Sequence, residues 1–208
     1  MDWMAHWVDD RTAALTAAFE NAVKAVGLDE LSSEVLATLG TISLYRREFD
    51  DARHSLERAI KLNPNDDQAL AWYGMYLTAV GRADEAVAEY DLSARINPLQ
   101  PGGIDWIRGI AFFTARRYDE AITTLRSIKD PVNEVRFWLA ASYAGAGRLD
   151  EARAMLEAFL RVAEDDMAVF PGRKVAAWED YSHGAMYYQD EADFEHLYDA
   201  LAKAGLER

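Results

Sequence analysis

No cysteine occurs in the 208 residues, and its absence removes a disulfide framework, a thiolate-ligated metal and a thiolate nucleophile together. Positive charge is scarce. Lys and Arg number 22 against 36 Asp and Glu, for a formal net charge of −14. An acidic surface repels nucleic-acid phosphates and anionic lipid, whereas a basic partner fits it more easily. No apolar run approaches the ~20 residues of a membrane span, and the amino end MDWMAHWVDD is acidic, without the basic-then-apolar profile of a signal peptide. These absences place the expected protein in the cytoplasm, with neither nucleic acid nor membrane as partner. Histidine is sparse and scattered: His6, His54, His183 and His196 form no His-Glu-x-x-His spacing, and none belongs to a serine elbow. His183 and His196 flank Asp190, Glu191, Asp193 and Glu195, which as a metal-dependent enzyme site would hold a divalent cation. The same carboxylates are accounted for by the first turn of a helix, where they meet the positive end of its dipole. The expectation is therefore no catalytic residue, no metal and no organic cofactor.

What the chain has is repetition. Within residues 67–100 Gly74 precedes Ala86 by twelve positions, Tyr90 follows Ala86 by four, and Asn97-Pro98 closes the stretch. Moving back 34 residues places Gly40 on Gly74, Ala52 on Ala86, Leu56 on Tyr90, Ala59 on Ser93 and Asn63-Pro64 on Asn97-Pro98. Small residues at fixed places are what two antiparallel helices need where they cross closely. Gly81-Arg82 supplies the turn between them, Pro98 stops the second helix, and Ala83, Ala86, Val87, Tyr90 and Ala94 form one apolar stripe along it. The period is that of a tetratricopeptide repeat.

Read in order, residues 1–32 form a degenerate first unit in which Ala18, Ala22 and Ala25 stand 34 positions before Ala52, Leu56 and Ala59. Trp3, Met4 and Trp7 belong to its core or to an interface, as suits an atypical terminal repeat. Residues 33–66, 67–100, 101–132 and 133–166 are the four clear units. The third keeps the twelve-residue spacing with Gly109 and Ala121. The fourth puts Ala140 and Ala152 in the small places, only 31 residues after Gly109, which predicts a local bend. Residues 167–208 read as a capping helix pair, one helix over 175–186 and a last one with Asp190 as N-cap, a stripe of Phe194, Leu197, Tyr198 and Leu201, and Gly205 at its end. The whole is expected to be a single all-α array, a right-handed superhelix of helix-turn-helix repeats.

The segments ERAIKLNPND at 57–66, AWYG at 71–74, RRYDEAI at 116–122, WLAASYAGAGRLDEARAML at 138–156 and ADFEHLYDALAKAGLER at 192–208 carry a narrower resemblance. They look like the carboxy-terminal tetratricopeptide regions of bacterial class III adenylate or guanylate cyclases and of related TolB-like or winged-helix regulators. The tail keeps the Lys203-Ala204-Gly205-Leu206 core of that group but loses a Gly and a Pro around it. The resemblance implies a regulatory or partner-binding array. It implies no cyclase activity, because these residues hold no cyclase domain.

Function is then expected on the concave face, which the first helix of each pair lines. The inward positions are Ala37, Thr41, Ala71, Met75, Trp106, Ile110, Phe113, Phe137 and Ala141. They contain no basic clamp for a carboxylate. Thr41, Met75, Trp106, Ile110, Phe113, Phe137 and Ala141 would instead make an apolar groove for a peptide or amphipathic helix, with Trp106 and Phe137 as anchors. The competing reading packs these aromatics between repeats or under the carboxy-terminal cap. Two functional readings follow: a non-enzymatic protein-interaction scaffold, or a self-association module that dimerises a cyclase-type or transcriptional regulator.

Overall fold

The computed structural model describes residues 11–99, 102–165 and 187–207. Among them are ten helices and no strand. Helix α1 spans Arg11–Leu28, and four antiparallel pairs follow: α2 (Ser33–Tyr45) with α3 (Phe49–Leu62), α4 (Asp67–Ala79) with α5 (Ala83–Ile96), α6 (Gly102–Thr114) with α7 (Tyr118–Ser127), and α8 (Glu134–Gly145) with α9 (Leu149–Asp165). Helix α10, Glu191–Ala204, closes the chain. Trp3, Met4 and Trp7, and the helix expected over 175–186, lie outside the described residues.

Local chemistry sets the helix ends. Ser32 and Asp66 cap α2 and α4 by accepting hydrogen bonds from the amides of Val35 and Ala69, which satisfies donors that a helix start leaves open. At the close of each early unit an Asn-Pro pair folds back on itself: Asn63 and Asn97 accept hydrogen bonds from the amides of Asn65 and Leu99 through their side chains. Where the fourth unit has Glu164 in place of that proline, α9 runs on to Asp165, 17 residues against 14 in α3 and α5. The residues missing from the third unit come out of α7, which has only 10. Arg82, Arg117 and Arg148 in the turns pair with Glu85, Glu120 and Glu151 in the first turn of the next helix. The hydrogen bond to the guanidinium lowers the pKa of each of these glutamates.

Pairing within a unit depends on one contact repeated along the chain. A Cβ built on Gly40 would stand 2.6 Å from Leu56 Cγ, on Gly74 2.9 Å from Tyr90 Cζ, and on Gly109 2.5 Å from Leu125 Cδ2. The bulky partner follows the glycine by 16 residues each time, and Leu56, Tyr90 and Leu125 are all buried. In the fourth unit Ala140 and Leu156 take these places and are buried too. Successive first helices α2, α4, α6 and α8 also pack on one another. They form a continuous inner layer, with the second helices outside it. The core therefore runs the length of the array, from Leu36 and Leu44 to Phe159 and Leu201.

Candidate functional site

The inner layer does not stand open. Thr41, Met75, Ile110, Phe113, Phe137 and Ala141 are buried, and Trp106 is half-buried against the core. Thr41 turns its hydroxyl back to the carbonyl of Ala37, and Met75 accepts the hydroxyl of Tyr45 at its sulfur. Phe137 packs at 5.3 Å on Phe159 of α9, inside its own helix pair. Its neighbour Trp138 is the residue that meets Phe113 edge-on at 5.5 Å. The indole N–H of Trp106 has no hydrogen-bond acceptor among the described residues. In this structure the chain itself covers these side chains, so they do not form an open apolar groove. Leaving so many large apolar groups in water would be unfavourable, and an intramolecular cover removes that cost.

Part of the cover is a strap made of residues 187–190 and α10. Its irregular leading part crosses the ends of three successive first helices at equivalent places, Tyr45, Ala79 and Thr114. Tyr187 lies edge-on to Tyr45, with ring centroids 5.5 Å apart. The guanidinium of Arg47 donates to the carbonyl of Tyr188 at 2.8 Å. The Tyr188 hydroxyl meets Thr114 Oγ1 at 2.7 Å, and since Thr114 also donates to the carbonyl of Ile110, the tyrosine is the donor. The amide of Gln189 donates to the carbonyl of Ala79 at 2.8 Å, satisfying an acceptor at the open end of α4. Asp190 then caps α10 through the amide of Ala192. Beyond it, Phe194, Leu197, Tyr198 and Leu201 are buried as α10 packs on α8 and α9.

Electrostatics follow the same geometry. His196 stacks on Phe113 at 4.8 Å and meets the Tyr118 hydroxyl at 3.2 Å. Burial, helped by the positive charges of Arg116 and Lys203, pushes its pKa down to about 4, so it is neutral near pH 7. Burial likewise raises the phenol pKa of Tyr187 and Tyr188, and it raises that of Asp193 against the opposing charge of Arg116, 3.8 Å away. The metal-site alternative finds no support in this arrangement. Asp190, Asp193 and His196 each face a different partner, His183 lies outside the described residues, and no group of three or more metal-ligating side chains occurs among those described.

Two residues of the strap's seat carry a backbone cost. The residue two places beyond the first helix of each unit adopts positive φ: Gly81 at 76° and Gly147 at 75°, but Arg47 and Arg116 at 63°. A side chain there costs roughly 1 kcal/mol relative to glycine. Both exceptions are the arginines that reach the strap, at Tyr188 and Asp193. Sequence reasoning places Arg47 in a turn but gives neither it nor Arg116 a part in a site, and it gives none to Tyr45, Thr114 or Tyr118. The available signal was an arginine at places where the second and fourth units have glycine.

The tetratricopeptide-repeat family pattern matches residues 37–101 and 133–158. These stretches are tetratricopeptide repeats. Among solved structures, the chain resembles MamA at 20% identity and a TM-score of 0.57, covering 74% of this chain and 91% of that one. It also resembles YrrB, described as a TPR protein with an unusual peptide-binding site, at 18% identity and a TM-score of 0.56, covering 90% and 92%. At such identities the likeness is one of fold. No curated protein matches the chain. Among the described residues no helix is long and apolar enough to cross a membrane.

Proposed function

We propose that this tetratricopeptide array is a non-enzymatic protein-interaction scaffold, and that it uses the concave face formed by α2, α4, α6 and α8. One observation supports the reading: at the edge of that face, the ends of α2, α4 and α6 already hold a peptide, the chain's own residues 187–190, by one main-chain bond, one guanidinium and one hydroxyl. Main-chain capture with pockets for side chains is how folded domains take short segments of other proteins. Thr41, Met75, Ile110, Phe113 and Ala141 form the apolar floor, and Trp106 supplies an unpaired donor beside it. A partner reaches this face by displacing the strap, and a basic or amphipathic segment suits the net charge of −14. The resemblance to the carboxy-terminal arrays of class III cyclases and winged-helix regulators would make such binding a regulatory input to a neighbouring domain, and the protein cytoplasmic. Self-association is the second reading, since a second copy brings the same strap to the same seat.

The test is a display selection with random peptides against the chain carrying Tyr188→Ala, which loosens the strap without altering the inner layer. Enriched peptides that a synthetic copy of residues 187–206 displaces would support the concave face as the binding site. Enrichment of nothing, or of peptides indifferent to that competitor, would refute it.

A further inference from the structure

From the way the strap is held, we infer that the partner recognised by this groove is a segment with two consecutive aromatic residues, one further residue, and then an Asp-, Ser- or Thr-capped amphipathic helix. The inference rests on the scaffold reading above and specifies its ligand. Each element of the segment has a dedicated counterpart. The first aromatic meets the edge of the Tyr45 ring. The second is enclosed, 1% exposed, with its hydroxyl on Thr114 and its carbonyl on Arg47. The next amide completes the end of α4 at Ala79. The cap at Asp190 starts the helix where the strap leaves the helix ends, and Phe194, Leu197, Tyr198 and Leu201 follow at the spacing of one buried face.

Two features separate this seat from ordinary end-capping of a repeat array. A cap needs only to cover the last pair, yet the strap reaches back to the first clear unit, with Arg47 and Tyr188 separated by 141 residues in sequence. The seat also keeps arginine at positive φ in the two turns that touch the strap, while the turns at Gly81 and Gly147 keep glycine. A tethered copy of a ligand is present at an effective concentration on the order of millimolar, so it holds off all but well-matched competitors. The aromatic pair supplies the match, because two enclosed rings give a partner most of its contact for little lost freedom.

The experiment titrates a fluorescent peptide of residues 187–206 into the full chain, wild type and Tyr188→Ala/Phe194→Ala, by anisotropy and by melting temperature. The double variant should bind the peptide at least ~100-fold more tightly than wild type, and the peptide should raise its melting temperature. Replacing both tyrosines of the peptide by alanine should weaken binding ~100-fold, and replacing its Asp190 by alanine roughly fivefold. If the alanine-pair peptide binds as well as the parent, the aromatic-pair inference fails while the scaffold reading stands. If neither this peptide nor any displayed peptide binds, both fail. Should the double variant not fold, Tyr188→Phe keeps the ring and loses only the Thr114 contact. It should then take up the parent peptide about fivefold more tightly than wild type, and equal affinities would overturn the inference. Sedimentation showing strap-exchanged dimers that no peptide dissociates would assign the seat to a second copy, which also overturns it.

Discussion

The crossing of α4 and α5 offers a quantitative check on the repeat register. A methyl group on Gly74 would stand 2.9 Å from Cζ and 3.1 Å from both Cε atoms of Tyr90, whose ring is completely buried and has nowhere to retreat. Overpacking of this kind costs about 1–3 kcal/mol, of which the better helix propensity of alanine returns roughly 0.5–1 kcal/mol. Gly74→Ala should therefore destabilise by about 0.5–2 kcal/mol. Tyr90→Leu removes much of a buried ring and should cost about 2–4 kcal/mol. The double variant reproduces the pair that the fourth unit uses, Ala140 with Leu156, so the new methyl group enters space the ring has vacated. The two effects should then fall short of their sum by about 1–2 kcal/mol. Urea unfolding followed by far-ultraviolet circular dichroism measures all four corners of the cycle, with Ala88→Leu on the exposed side of α5 as a control expected to be nearly neutral. Strict additivity within about 0.5 kcal/mol would show that Gly74 and Tyr90 do not share this crossing.

Acid should loosen the strap. His196 has a pKa of about 4 in the folded chain and 6.5 as its ordinary value, so the unfolded chain binds the proton first and stability falls as pH drops from about 6.5 to about 4, then levels. Spread over that window, His196→Phe should abolish roughly 1–3 kcal/mol of pH dependence, and parallel melting curves for variant and wild type would refute this. At the turns, Gly81→Ala should cost about 1 kcal/mol because nothing rewards a side chain there. Arg47→Gly should leave global stability within about 1 kcal/mol, because relief of the turn offsets the lost bond, while amide exchange at Tyr188 and Gln189 speeds up. Unchanged exchange together with a gain in stability would remove Arg47 from the strap's seat.

Much of the architecture is legible in the sequence because a close helix crossing tolerates few residue types. Gly40, Gly74 and Gly109, with Ala52, Ala86 and Ala121 twelve places on, reveal the crossings directly. Asp190 and Gly205 mark the ends of α10 by capping chemistry, Gly205 with a φ of 108°. The site is less legible. Helical spacing identifies Thr41, Met75 and Phe113 as inward, but spacing within a helix carries no information about a segment that arrives from 74 residues away, as Tyr188 does at Thr114. Residues 187–190 have no periodicity of their own to declare a docking role. Phe137 illustrates the same gap on a smaller scale: it and Trp138 are both large and apolar, and only packing against Phe159 separates the one inside the pair from the one that meets Phe113.

Arg47 and Tyr188 also change how the array must come apart. A stack whose units touch only their neighbours can fray from either end, one unit at a time. The bond between the turn of the first clear unit and the far carboxy-terminal segment joins the two ends of the inner layer, so it converts an open row into a closed circuit. Loss of α2 and α3 then removes two of the strap's anchors, the Arg47 bond and the Tyr45 ring, and weakens the cover over Phe113 and α8, so the first and fourth units are coupled although they are not neighbours in the row. Such a contact has high sequence separation and forms late in folding. It should slow unfolding more than it speeds folding, and give a chain of repeats the all-or-none melting of a single globule.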